Sequence, residues 1–198
     1  MPLGAFKAAL MGTAGVSTTG DVVLLATTTA TSDATVSFTS GIDSTYGEYI
    51  FRFYNMNPEA NSKQFSFQCS TDGGSNYNVV TTSQNFYANH QEDDTDTAFP
   101  AHSGVPQHQN FINLTSSQGY GADESSAGEL HLFDPSSTTY AKQFYSRTSS
   151  MRDPAGVSAW AYDLFSSGYF NTTSAINAIQ FKFNSGDMDG KIKMWGVK

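Results

Sequence analysis

Apolar and polar residues alternate with a period of two in several segments of the chain. Tyr49, Phe51 and Phe53 share one face of an extended segment, and Arg52 lies on the other. Because successive side chains of a strand point to opposite sides, this alternation predicts β-strands with one buried face. Antiparallel sheets with one solvated face produce such patterns. The pattern is clearest in residues 34–38, 46–54, 63–69, 179–183 and 191–195.

Turn-forming residues separate these segments. Gly, Asn, Asp and Ser are concentrated in residues 70–76, 134–137 and 184–190, where they supply positive φ angles or local caps. Many short strands with regular turns predict an all-β, antiparallel β-sandwich. The first turn resembles the Asp-box of sialidase propellers, but it occurs once and therefore excludes a propeller. It predicts a hairpin in which Asp72 caps backbone N–H groups.

The N-terminal part of the chain differs from the rest. Residues 1–32 are small and Thr-rich, and they are predicted to form an N-terminal arm or leader. Leu3, Phe6 and Leu10 have spacings compatible with one short helix, and they are the predicted anchors of this arm to a partner subunit. Residues 33–198 are predicted to form the β-sandwich domain. The apolar stretches are too short for a membrane span.

Composition narrows the classes of function. The 198 residues carry a formal net charge of -8, and 14% of them are charged, against about 25% in an ordinary domain. The aromatic content argues against disorder, and the acidic balance argues against nucleic-acid and membrane-surface partners. Cys69 is the single cysteine, so no intrachain disulfide is expected and a buried position is predicted.

Candidate catalytic and metal-binding motifs are weak. Residues 92–96 form an acidic run that would suit a hard cation, but they lack the spacing of a calcium loop. No histidine pair has the spacing of a zinc protease, and His131 is expected on the outer face of a strand. No nucleophile elbow, phosphate loop or dinucleotide fingerprint is present. The sequence therefore predicts no catalytic residue, no metal site and no cofactor, and a protein that is not an enzyme.

Aromatic side chains are the remaining candidates for binding. Most of them alternate with polar residues and are predicted to fill the core. Trp160, Tyr162 and Trp195 lie in more polar or Gly-rich sequence and are the predicted contacts to a glycan or a protein partner, because aromatic faces stack on other rings and anchor interfaces.

Four stretches resemble structural proteins of tailed phages, cyanophages among them. They are ATVSFTSGIDSTYGEYIFRFYNMNP (34–58), FSFQCSTDGGSNYN (65–78), GELHLFDPSSTTYAKQFYS (128–146) and YFNTTSAINAIQFKFNSGDMDGKIKMWGVK (169–198). The last, expected to contain a hairpin, is the most specific. The resemblance implies a virion component with a jelly-roll-like β-sandwich, often a homotrimer, and it carries over no catalytic residue.

Two roles follow from this resemblance. The first is a capsid decoration or cement protein that binds the major capsid protein, with the arm as an anchor. The alternative is a tail-associated fibre, adaptor or receptor-binding module that recognises host surface glycans. In both cases the expected partners are other virion proteins and the expected location is the virion. A glycan-degrading enzyme on the same fold lacks a supporting site in the sequence.

Overall fold

The computed structural model describes residues 21–99, 105–153 and 158–198, which contain strands and no helix. These residues therefore include no helix of the length and apolar character that a membrane crossing needs. The strands in chain order are β1 (Val22–Asp33), β2 (Val36–Phe38), β3 (Glu48–Pro58), β4 (Phe65–Ser70), β5 (Thr81–Gln91), β6 (Thr97–Ala98), β7 (Val105–His108), β8 (Ile112–Asn113), β9 (Ser126–Phe133), β10 (Lys142–Arg152), β11 (Trp160–Phe170), β12 (Ala178–Phe183) and β13 (Met188–Val197).

The strands form two antiparallel sheets that pack face to face. The small sheet has the order β2-β12-β4-β8, and the large sheet begins with β1-β13-β3-β9. Numbered among themselves along the chain, these eight strands run 2-7-4-5 and 1-8-3-6, which is the order of a jelly roll of two Greek keys. The predicted all-β, antiparallel sandwich is therefore confirmed.

The large sheet continues beyond the jelly roll. After β9 it adds β10, β11 and β5, and the short strands β6 and β7 both pair with β5. The pairing of β10 with β11 and of β11 with β5 is unbroken over eleven residue pairs each. This extension gives the large sheet a broad outer face, which carries the candidate site described below.

Strand β1 includes the last third of the segment that was expected to be an arm. Residues 22–32 pair with β13 at the edge of the large sheet, and the pairing shifts register between Leu24 and Ala26. This bulge interrupts the alternation of apolar and polar residues. Most side chains of this edge strand are also exposed or only partly buried. For both reasons the segment lacks the sequence pattern that predicts a strand. Residues 22–32 are thus part of the sandwich, and residues 1–20 lie outside the described part.

Two predicted hairpins are instead connections between the sheets. Residues 71–80 lead from β4 in the small sheet to β5 in the large sheet, and residues 184–187 lead from β12 to β13. The flanking strands do not pair with each other, so the hairpin predictions at 70–76 and 184–190 were wrong. Alternation and turn residues look the same in a hairpin and in an arch between two sheets.

Aromatic rings fill the space between the sheets. Phe181 of β12 lies at the centre, and ring centroids of five phenylalanines are 5.3–6.3 Å from its own. These neighbours come from both sheets, on β2, β3 and β4: Phe38, Phe51, Phe53, Phe65 and Phe67. Cys69 is also buried in this core, as predicted, and burial raises the pKa of its thiol well above the ordinary value.

The turn after β4 is organised by one carboxylate. Asp72 accepts hydrogen bonds from the Asn76 backbone N–H at 2.9 Å and from the Ser70 hydroxyl at 2.6 Å. The predicted capping role of Asp72 is confirmed. Hydrogen bonds from Ser70 and Asn76 lower the pKa of Asp72 from 3.8 to about 2.

This pKa shift predicts a pH dependence of stability. The folded chain holds Asp72 ionised below pH 3.8, whereas the unfolded chain protonates it there. The contribution of Asp72 to stability is therefore present above pH 3.8 and is lost as the pH falls to about 2. Urea unfolding across this range should show that the stability advantage of the wild type over Asp72→Asn shrinks with falling pH. A constant difference at all pH values would contradict the assignment.

Candidate functional site

An open groove of about 690 Å³ crosses the outer face of the large sheet. Its floor is a row of small side chains in which Ala127 of β9 lies opposite Ser149 of β10. Asp163 of β11 lies on the other side of Ser149. The groove continues over Ala88 of β5 as a second depression of about 320 Å³, which shares Arg147 and Asp163 with the first. We call both depressions together the outer-face groove.

Two ion pairs form the wall of the outer-face groove. Arg52 Nε lies 3.2 Å from Glu129 Oε2, and Arg147 binds Asp163 with Nε and Nη2 at 3.0 and 2.6 Å from the two carboxylate oxygens. The second pair is bidentate, which fixes the geometry of both side chains, and it raises the pKa of Arg147. All four side chains are between 41% and 72% exposed, so their polar atoms remain accessible.

A histidine supports this wall from the side. His131 is buried on the outer face of β9, where Nδ1 contacts Glu48 and Nε2 lies 3.2 Å from Glu129 Oε1. Its ring stacks on that of Tyr145, with centroids 4.5 Å apart. Burial raises the pKa of Tyr145, and the charges of Glu48 and Glu129 raise it further. Glu129 thus lies between Arg52 on one side and His131 on the other.

Phenylalanines line the end of the groove over β5. The rings of Phe86 and Phe165 stack with centroids 5.1 Å apart, and Phe99 lies 5.6 Å from Phe86. Phe99 is 70% exposed, so its ring is accessible at this end of the groove. The opposite end is bordered by Tyr54 of β3, which is 38% exposed and has Lys193 Nζ 5.4 Å from its ring centroid.

Alternation and register together place these groups on one face. Phe51 and Phe53 of β3 point into the core, so Arg52 and Tyr54 point outward. Pairing then sets Arg52 opposite Glu129, and Glu129 opposite Arg147. Positive and negative side chains therefore alternate from β3 to β10, and such cross-strand pairs of opposite charge are favourable.

Comparisons with protein-family models, with curated proteins and with solved structures find no match for this chain. The chemistry of the outer-face groove follows from its own residues. Its four charged side chains sum to zero net charge and offer paired donors and acceptors. Within residues 21–99, 105–153 and 158–198, no three His, Cys, Asp or Glu side chains converge as metal ligands.

The predicted aromatic contacts lie in two places. Trp160 is half-buried and lines a depression that shares Ala127 and Ser149 with the outer-face groove. Tyr162 is only 9% exposed, because its ring packs between Trp160 and Tyr87, so it supports Trp160 and presents little surface to a ligand. Trp195 is half-buried on β13, with the Arg52 guanidinium 6.0 Å from its ring centroid.

Other predicted site residues lie outside the groove or outside the described chain. Leu3, Phe6 and Leu10 lie outside the described residues. The acidic residues 92–94 and 96 are exposed in and around the turn after β5, where Asp94 Oδ1 lies 3.0 Å from His90 Nε2. Hydrogen bonds from Ser158 and Thr95 lower the pKa of Asp93. Asp93 and Asp94 therefore interact with neighbouring side chains of the protein.

Arg52, Glu129, Arg147 and Asp163 were not among the predicted site residues. One signal was present in the sequence, since alternation already placed Arg52 on the face opposite three aromatic residues. Glu129 is 77 positions away along the chain, and only the register between β3 and β9 brings the two together. His131 was expected on the outer face of its strand, and this prediction is confirmed.

Proposed function

We propose that this chain is a non-enzymatic structural protein of a tailed-phage virion that decorates the capsid by binding the major capsid protein. The resemblance of four sequence stretches to such proteins motivates the proposal. The jelly-roll order of the strands supports it, because viral capsid domains use this fold, although lectins and cupins use it too. One particular surface of the molecule supports assembly more directly.

The open edge of β1 carries the proposal. β1 pairs with β13 on one side, and no strand in the described ranges pairs with its other side. It is twelve residues long, its single charged residue is Asp33, and it contains no proline. Edge strands that must stay unpaired are usually short, charged or interrupted by proline. A long edge with a single charged residue at its end favours strand addition by a partner.

Exposed apolar side chains lie at the start of this edge. Val22 is 53% exposed and Leu24 is 45% exposed. The proposed anchor residues Leu3, Phe6 and Leu10 precede them in the chain. In our proposal, the arm and the edge of β1 together contact the capsid protein or a sister subunit, and the protein assembles as a homotrimer on the virion.

Copy number in purified virions tests this role. Decoration requires one subunit or trimer at each repeated capsid position, so quantitative mass spectrometry should find hundreds of copies per particle. A few copies, or a few dozen, would contradict decoration.

In a binding assay with particles lacking the protein, Leu24→Lys should reduce attachment at least about tenfold, because a charge at an exposed edge opposes strand pairing. Thr139→Lys, in an exposed loop, is the matched control and should attach normally.

A tail-associated module that recognises host surface glycans is the second candidate. The outer-face groove favours it, since a rigid sheet presents exposed polar pairs and aromatic rings side by side. The same mass spectrometry separates the two roles, because a tail component would be present in few copies.

A further inference from the structure

The charges of the outer-face groove restrict its ligand. Arg52 and Arg147 are each paired with a carboxylate on the groove wall. A phosphate or carboxylate ligand would meet Glu129 and Asp163 as well as the arginines, whereas anion sites present unpaired cationic donors. A hydroxyl group donates to a carboxylate and accepts from a guanidinium. The alternating wall therefore suits a ligand with many uncharged hydroxyl groups.

The position of the groove argues against a peptide. Extended peptides bind β-sheets mainly by adding a strand at an edge, where backbone N–H and C=O groups are free. The floor of the outer-face groove is the face of paired strands, whose backbone groups bond to neighbouring strands. A peptide placed there would lack backbone partners, whereas a ligand that uses side-chain donors and acceptors would not.

The dimensions and the aromatic end favour an elongated ligand. The groove runs from β3 to β5, which lie four strand spacings apart, or about 19 Å. Phe99, Phe86 and Phe165 at one end offer aromatic surface for the apolar faces of sugar rings. Backbone pairing on both sides of β9, β10 and β11 keeps the wall rigid, so binding costs little ordering of the protein.

We infer that the outer-face groove binds an uncharged oligosaccharide of several sugar units, laid across β3, β9, β10, β11 and β5. The ion pairs Arg52–Glu129 and Arg147–Asp163 hydrogen-bond its hydroxyl groups, and Phe99 stacks on a sugar ring at the end over β5. This inference rests on the second proposed role. It specifies an uncharged glycan as the ligand, and it places the binding site in the outer-face groove instead of at Trp195.

A glycan array with the full chain tests the class of ligand. The array would carry uncharged oligosaccharides of glucose, galactose, mannose and N-acetylhexosamines, and acidic ones with uronic acid or phosphate groups. Binding confined to uncharged glycans is expected. Binding confined to acidic glycans would overturn the ligand class and leave glycan recognition standing. Binding to none would overturn both this inference and the second proposed role, without bearing on capsid decoration.

Variants then test the site by titration calorimetry with the strongest uncharged glycan. Asp163→Asn and Phe99→Ala should each weaken affinity about tenfold, as expected for loss of a charge-assisted hydrogen bond or a stacked ring. Asp123→Asn and Tyr140→Ala are matched controls at exposed positions outside the groove, and Tyr140 is 70% exposed like Phe99. Controls should bind within twofold of the wild type.

A second variant guards against a folding defect at Asp163. Arg147→Lys keeps the positive charge but removes the bidentate fork, and it should also weaken binding while thermal unfolding stays close to the wild type. Unchanged affinity in Arg147→Lys and Phe99→Ala, both folded, would overturn the site. Equal weakening by the two control variants would do the same.

Discussion

Replacing Phe181 with alanine is expected to lower the free energy of unfolding by about 3–5 kcal/mol, among the largest effects of a single substitution in this chain. The side chain is fully buried, and its ring contacts phenylalanines of β2, β3 and β4. Alanine would leave a cavity where the two sheets meet, since rings fixed by their own strands cannot collapse into it. Chemical denaturation measures the loss, and the melting temperature should fall by roughly 10 °C.

Phe99→Ala is the matched control for this substitution. It removes the same atoms from a side chain that is 70% exposed, so its effect on stability should be below about 1 kcal/mol. If Phe181→Ala fails to fold, Phe181→Leu keeps most of the apolar volume and should cost less, about 1–2 kcal/mol. Equal losses for Phe181→Ala and Phe99→Ala would contradict the central position of Phe181 in the core.

Gly128→Ala is the second substitution with a large expected effect, at about 3 kcal/mol. Gly128 lies in β9, between Phe53 of β3 and Thr148 of β10. A Cβ at this position would lie 2.3 Å from the Arg147 carbonyl oxygen and 2.7 Å from the Thr148 Cα. Both atoms belong to the backbone of β10, so the added methyl group would force two paired strands apart. The expected loss is measured by chemical denaturation.

Gly47→Ala provides the comparison for Gly128→Ala. A Cβ at Gly47 would have no atom within 4 Å, so its stability should change by less than about 0.5 kcal/mol. Gly168→Ala should behave like Gly128→Ala, because its Cβ would lie 2.3 Å from the Thr82 carbonyl oxygen. Similar stabilities for the Gly47 and Gly128 variants would show that β9 and β10 are not packed as described.

Local alternation predicted the faces of several strands correctly. Tyr49, Phe51 and Phe53 are buried as expected, and on β13 Ile192 is buried while Lys191 is exposed. This success has a local cause, since the two-residue period of a strand depends only on backbone geometry. β4 departs from it because both of its faces are buried. Its polar side chains are covered by other segments, as where Gln68 Nε2 donates to the Val79 carbonyl.

The aromatic site residues were harder to predict. Trp160 and Tyr162 share one face of β11, and both were expected to contact a partner. Tyr162 is buried because Tyr87 of β5 packs against it, and the pairing of β5 with β11 is not visible in either strand alone. Trp160 borders a depression next to the groove. Its contact with a partner stays a prediction.

Local patterning along the chain was enough to predict an all-β, antiparallel sandwich, because apolar side chains at every second position must be buried on one side of each strand. It also determined which residues of β3 and β13 point away from the core. The pairing of distant strands was needed to show that β4 and β12 lie in the other sheet, that β1 forms an edge, and that two ion pairs line a groove. Strand pairing joins residues as far apart as Arg52 and Glu129, and such long-range register leaves no periodic signal along the chain.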